Sequence, residues 1–222
     1  ATDPDADRRG SYAKDTKTGE YVSFTGNMSG MLIAEYILRE KKANGTLPAN
    51  GALVETIVTT DMAKAIAKAY GVKLLEVLPG IKYIGEQIKI LAQQNRNEYV
   101  LGLEESYGCL AGTYARDKDA CVAVMMLCEV AAWCKSNGIT LWDAMVSLYE
   151  TYGYYKEGLE TMTLKGMDGA EKIQSMMNEM RNNPPKKIGA WDVLALRDYK
   201  KDTRTDMPSG EVTPTGLPES NV

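Results

Sequence analysis

The sequence predicts an α/β fold: a mixed, largely parallel sheet with flanking helices, plus a partial second α/β domain. Three observations lead there. Between positions 52 and 152, short aliphatic runs alternate with helical stretches of roughly 10–19 residues. The run 121–134, CVAVMMLCEVAAWC, suits a core helix. It falls short of the ~18 apolar residues of a spanning helix, and Glu129 interrupts it. Apolar residues are 44% and charged residues 25% of the 222, globular proportions for one domain or one domain plus part of another.

Residues 2–8, TDPDADR, form a polar loop. Weak alternation over 20–25 marks a strand. Gly26-Asn27 leads into a helix with a wide apolar face over 31–38. Residues 41–51 hold Asn44-Gly45, Pro48 and Asn50-Gly51, a turn-rich connector and candidate domain boundary. Residues 52–59 read as a buried strand. Thr60-Asp61 can cap a helix to Tyr70, Gly71 closes it, and 73–78 is a second strand. Ile81, Ile84, Ile88 and Leu91 share one helical face. A third strand covers 99–103, a loop 104–108, and a central buried helix 117–135. Thr140 with Asp143 resembles a capping box for a helix to about Tyr152. Residues 159–164 read as a strand. Residues 171–182 form an amphipathic helix with Ile173, Met176, Met177 and Met180 as a core row. Residues 193–196 are a short apolar run. From Lys200 the chain is rich in Thr, Pro, Gly and Asp and reads as a linker or tail.

Several chemistries are excluded. There is no histidine, hence no Ser-His-Asp triad, no Cys-His dyad and no imidazole zinc site. Proton transfer falls to carboxylate, Lys, Tyr, Cys or water. A net charge of -4 argues against a nucleic-acid footprint. Cys109, Cys121, Cys128 and Cys134 lack the spacing of a metal knuckle and read as buried structural thiols in a reducing cytoplasm. No signal peptide or membrane span is expected, and the opening on Ala1 reads as a cut edge.

The strongest chemical signal is Asp3, Asp5 and Asp7. In an extended segment alternate side chains share a side, so three carboxylates converge. Magnesium takes oxygen ligands and keeps positions for water and a phosphate. An EF-hand starting at Asp3 would need Gly where Arg8 stands and Glu where Lys14 stands. A solvated acidic turn is the other reading. Arg8 and Arg9 favour the metal, since guanidinium beside it suits a phosphoryl group.

TDPDADR resembles the metal loop of the α-D-phosphohexomutases, the family of phosphoglucomutase and phosphomannomutase. In the family's order, Thr25-Gly26-Asn27 resembles the end of its second domain. Glu104-Glu105-Ser106-Tyr107-Gly108 resembles its sugar-binding loop, and Arg116-Asp117-Lys118-Asp119-Ala120 its following basic segment. EESYG with RDKDA is most similar to the bacterial α-phosphoglucomutase branch. The resemblance implies that Asp3, Asp5 and Asp7 hold Mg²⁺ against a phosphoserine and that Arg8 contacts the phosphoryl group. It implies that Glu104 and Ser106 bind sugar hydroxyls, and that Arg116 is a further substrate contact. Lys118 would be a phosphate contact or an acid/base, its pKa depressed by neighbouring cations. Gly80 and Lys82 match a loop near the sugar, although Pro79 and Ile81 depart from the family's pattern there.

The implied reaction interconverts glucose 1-phosphate and glucose 6-phosphate through glucose 1,6-bisphosphate. The family's Ser-His-Asn-Pro nucleophile motif cannot be present without histidine, and its fourth-domain Arg-x-Ser-Gly-Thr-Glu-Pro loop is absent. The expectation is therefore an inactive cytoplasmic fragment that binds hexose phosphate and works with domains 1 and 4 of the same protein. Residues 1–50 would end domain 2, 51–158 form domain 3, and 159–222 lead toward domain 4, with Glu219-Ser220-Asn221-Val222 resembling that approach. The alternatives are phosphomannomutase, another sugar-phosphate mutase, or a non-catalytic sugar-phosphate binding module.

Overall fold

The chain divides into two compact units, Ala1–Glu157 and Gly158–Val222. The computed structural model describes residues 1–159 and 161–218, so the tetrapeptide 219–222 lies outside the described residues.

The first unit opens with an antiparallel hairpin, β1 (Ser11–Lys14) and β2 (Tyr21–Phe24). Its turn uses Gly19 at φ 77°, a left-handed conformation that favours glycine. Period-two alternation places Ala13, Val22 and Phe24 against the core and leaves Tyr12 and Tyr21 outside. The strand expected over 20–25 is thus present as β2; its partner β1 was not expected. Helix α1 (Gly26–Ala43) follows, with Thr25 Oγ1 accepting the Met28 N–H at 3.1 Å as its cap.

The central sheet has the order β4-β3-β5-β6. Strand β3 (Gly51–Thr56) pairs in parallel with β4 (Lys73–Val77) and β5 (Glu98–Leu103). Strand β6 (Cys109–Ala111) adds an antiparallel edge that was not expected. Helix α2 (Met62–Tyr70) joins β3 to β4, and α3 (Ile81–Gln94) joins β4 to β5. Strand β3 ends at Thr56, not at residue 59. Its hydroxyl lies 2.8 Å from that of Thr59, and the Thr59 N–H turns back to the Thr56 carbonyl. At α2, the Thr60 hydroxyl accepts the Met62 N–H, while the Asp61 carboxylate pairs with Lys64 at 2.8 Å.

Helices cover both sheet faces. Leu53 and Leu101 face α1, α2, α4 (Ala120–Ser136) and α5 (Leu141–Tyr152) in one cluster. Ala52, Val54 and Val77 meet Ile84, Ile88 and Leu91 of α3 in the other. Each of these buried Leu, Ile and Val side chains contributes about 1.5–3 kcal/mol. Both partners of the α5 capping box are formed between Thr140 and Asp143. Glu35 of α1 accepts the Tyr70 hydroxyl on one oxygen at 2.7 Å and the Tyr152 hydroxyl on the other at 2.8 Å. Burial, then the bond to this carboxylate, raises both phenols above their ordinary pKa.

Helix α1 shares one core with β3, β5, α4 and α5. Other expectations need correction. Helix α4 is buried along one side only. Cys121, Met125 and Cys128 are exposed, leaving Cys109 and Cys134 as the buried thiols. In the second unit, α6 (Gly166–Asn182) leaves Met176, Met177 and Met180 exposed, since the unit's short polar strands provide no apolar sheet to receive them. No strand runs through the described part of 159–164; residue 160 lies outside it.

The segment after Lys200 is a sheet, not a tail. Beyond the small hairpin β7 (Lys187–Ile188) and β8 (Trp191–Asp192), strands β9 (Ala195–Asp198), β10 (Thr203–Asp206) and β11 (Val212–Thr213) form an antiparallel meander. Asp202 caps one turn by accepting the Thr215 and Gly216 N–H groups, and Asp206 caps another by accepting that of Ser209. Arg181 pairs with Asp198 at 3.3 Å, both side chains largely buried, and ties α6 to β9. Among the described residues no single helix is long and apolar enough to cross a membrane.

Burial pushes the Cys109 thiol up to about 11, against the opposing pull of Arg9, and also raises Cys134. Iodoacetamide at pH 8 should therefore label Cys121 and Cys128 in the folded chain and Cys109 and Cys134 only in denaturant. Peptide mass mapping checks this; rapid native labelling of Cys109 would contradict the packing.

Candidate functional site

The acidic loop is a closed turn. Backbone bonds join Asp3 N–H to the Arg8 carbonyl (3.2 Å) and Gly10 N–H to the Ala1 carbonyl (2.8 Å), with a bridge between Thr2 and Arg9. Ala6 takes a left-handed φ of 55°. This corrects the extended-segment expectation: the carboxylates converge because the chain curls at Ala6, not through strand alternation. One Asp3 oxygen accepts the Asp7 and Arg8 N–H groups at 3.1 and 3.0 Å. These bonds, that to Arg8 first, hold the Asp3 carboxyl below its usual pKa.

One oxygen from each of Asp3, Asp5 and Asp7 lies within 4.8 Å of the others. That is close to the ~4 Å between opposite ligands of a magnesium ion with bonds of 2.0–2.1 Å. Hard oxygen donors, packed like charge and partial exposure fit such a cation. Arg8 folds back over the loop, its Nε 3.4 Å from Asp7 and 3.9 Å from Asp3.

The loop rests on the start of α4. The Ala120 N–H donates to the Ala6 carbonyl at 3.0 Å. Asp119 caps that helix, accepting the Val122 N–H at 3.1 Å and the Tyr114 hydroxyl at 2.7 Å. Arg9 is buried beneath, its Nε donating to the Ala123 carbonyl at 3.3 Å. The acidic turn is thereby held by backbone on one side and a buried guanidinium on the other.

Lys118, at the same junction, reaches both loops. Its Nζ lies 3.1 Å from Asp7 and 3.5 Å from Glu104. Glu104 is buried at the end of β5 and accepts the Ser106 hydroxyl at 2.9 Å on the same oxygen. Burial alone would lower the Lys118 pKa, but the bond to Asp7 and the charges of Glu104 and Asp7 outweigh it and raise it. This corrects the depressed lysine: carboxylates, not cations, dominate its surroundings.

Two glycines set the sugar-loop resemblance in place. A Cβ on Gly26, the first residue of α1, would run into the Glu105 carbonyl, so helix and loop touch backbone to backbone. A Cβ on Gly108 would lie 2.5 Å from a Glu104 carboxylate oxygen. Tyr107 takes a left-handed φ of 69°, and Glu105 accepts the Thr56 hydroxyl at 3.0 Å. Sequence reasoning marked Gly26 as part of a motif but missed its steric role; a lone glycine opening an apolar helix was the signal.

Gly80, Lys82 and Arg116 stand around α3. Gly80 precedes the helix with φ 123°, and the Lys82 Nζ lies 4.9 Å from the Tyr83 ring centroid. Arg116 donates to the Gly85 carbonyl at 3.5 Å and, with Lys82 and Lys89, lines an open pocket. Among the described residues no hydrogen bond or ion pair connects these three to the Lys118 cluster. Direct contacts thus link Asp3, Asp7, Arg8, Lys118, Glu104 and Ser106, with Asp5 inside the carboxylate cluster, while Gly80, Lys82 and Arg116 share none of these contacts among the described residues.

Comparison with known proteins adds three findings. Residues 25–152 match the family model described as phosphoglucomutase/phosphomannomutase, alpha/beta/alpha domain III. That match begins at Thr25, the capping residue of α1. Phosphoglucomutase of Staphylococcus epidermidis is 35% identical over 221 residues, and that of Staphylococcus aureus 32% over 222. Each alignment covers 100% of this chain but only 39% of the relative's length. Among solved structures, the open form of Paramecium pp63/parafusin, a phosphoglucomutase, matches with TM-score 0.54 and 20% identity over 96% of this chain and 34% of that one. A phosphoglucomutase/phosphomannomutase family protein of Burkholderia thailandensis gives TM-score 0.53 and 17% identity over 84% and 33%. At such identities these two speak for the fold.

Gly26→Ala should cost about 1–3 kcal/mol of stability, because neither backbone at the α1–Glu105 contact can yield cheaply. Urea unfolding monitored by circular dichroism measures it; a wild-type midpoint would show that the loop has room to move.

Proposed function

Since the chain belongs to the phosphoglucomutase/phosphomannomutase family, we propose that it is the central part of a phosphoglucomutase acting on glucose 1-phosphate and glucose 6-phosphate. The carrying observation is Lys118, whose ammonium bridges the acidic turn through Asp7 and the Glu104 loop. The acidic turn would supply the metal donors and the Glu104 loop the polyol donors beside them.

Asp3, Asp5 and Asp7 would hold Mg²⁺, which when bound supplies charge neutralisation for phosphoryl transfer. Arg8 is half exposed and its contacts with Asp3 and Asp7 are long, so it would turn to the phosphoryl oxygens. Lys118, held charged by its neighbours, would contact phosphate and donate from its ammonium. Ser106 and Glu104 form a linked donor–acceptor pair. A hydroxyl can both give and take a hydrogen bond, and a carboxylate accepts at two oxygens. The pair can therefore serve a hexose in either of two orientations, as a glucose 1,6-bisphosphate intermediate that turns around requires. Gly80, Lys82 and Arg116 would meet the sugar phosphate from the α3 side.

The serine nucleophile and the second phosphate loop would come from domains 1 and 4 of the intact protein, leaving this chain inactive by itself in the cytoplasm. As read from the sequence, residues 1–50 would correspond to the end of domain 2, 51–158 to domain 3 and 159–222 to the lead into domain 4, with the domain III family match overlapping the first of these from residue 25.

In a coupled assay, the intact protein should turn over glucose 1-phosphate faster than mannose 1-phosphate. Its Asp7→Asn and Glu104→Gln forms should lose at least about 10²-fold in kcat/KM. Equal turnover by Glu104→Gln would remove the sugar loop from the mechanism. The 222-residue chain should give no turnover and should bind Mg²⁺ weakly. Wild-type-like turnover, or sub-micromolar Mg²⁺ binding by calorimetry, would overturn the fragment reading.

A further inference from the structure

A second cavity lies among α1, α4 and α5, with a volume of about 170 Å³. None of its lining residues belongs to the site above. Leu32, Val130, Leu148 and the Trp133 ring make most of its wall apolar. A dry cavity of about 150 Å³ accepts one benzene ring, so the size suits a single six-membered ring.

Two charged groups line it, and they differ in one respect. Glu35 has both oxygens engaged by tyrosine hydroxyls. Arg39 is only partly engaged. Its guanidinium lies over the Trp133 ring at 3.6 Å, and its Nε meets Glu40 at 3.2 Å. Its Nη2 is buried and has no hydrogen-bond partner among the described residues. The Arg39 side chain is 30% exposed as a whole, but a guanidinium corner held by an indole with its Nη2 buried and unpaired gains when an acceptor arrives. Free phosphate fits poorly, because it needs several donors and the wall offers apolar surface. The complement is one anionic acceptor on a compact apolar body.

We propose that this cavity binds a small aromatic monocarboxylate, its carboxylate on Arg39 and its ring against Leu32, Val130 and Leu148. The site is separate from the mutase reading and does not depend on it.

Sodium benzoate is the probe, with toluene as the uncharged comparator. Benzoate titrated into the 222-residue chain should bind one to one and shift the Trp133 indole N–H resonance. Arg39→Leu should weaken benzoate about tenfold or more and spare toluene. Ser147→Phe, made from an exposed α5 position that lines the cavity, should block both ligands. Thermal melts confirm that each variant folds, and Arg39→Leu alone decides the question if Ser147→Phe does not. Non-saturable shifts, shifts that avoid Trp133, or undiminished benzoate binding by Arg39→Leu would overturn the proposal.

Discussion

The first unit is organised around a surplus of negative charge at one point. Asp7 and the buried Glu104 share the Lys118 ammonium, Asp3 and Asp5 crowd against Asp7, and Arg8 lies along Asp3 and Asp7. Carboxylates crowded in this way repel one another, and burial of Glu104 sharpens the repulsion. The chain answers with cations in the resting arrangement, and the same deficit favours a hard divalent ion over an organic one. The surrounding structure serves that concentration. The Ala6 curl, the Ala120 bond and buried Arg9 fix the acidic turn, while Gly26 and Gly108 let the Glu104 loop approach from the other side.

Much of this was legible in the sequence, and the failures have physical causes. The strands β3, β4 and β5 announce themselves as aliphatic runs because each is covered on both faces. The α5 capping box is local chemistry within four residues and is equally plain. What could not be read is whatever depends on a neighbour. Strand β6 is three residues long and exists because β5 provides a ladder for it. The one-sided exposure of α4 was hidden because Cys, Met and Ala tolerate either setting. Lys118 looked like a lysine among cations, since Arg116 stands two residues before it. In space its partners are Asp7 and Glu104, far away along the chain.

The second unit shows the opposite error. Its meander contains little that a hydropathy pattern would register, because backbone ladders and aspartate-capped turns hold it rather than a large apolar interior. Composition alone suggests a linker, whereas the positions of Asp202 and Asp206 relative to Thr215 and Ser209 suggest turns. The candidate site lies wholly in the first unit, so this misreading left the functional argument unaffected.

Glu35 carries a consequence for how the molecule breathes. One carboxylate ties α1 to both α2 and α5, so detaching either tyrosine leaves a charged oxygen partly buried and short of a donor. Fraying of one helix is thereby penalised at the other, and the three should open together as one foldon in hydrogen exchange, not peel away in sequence.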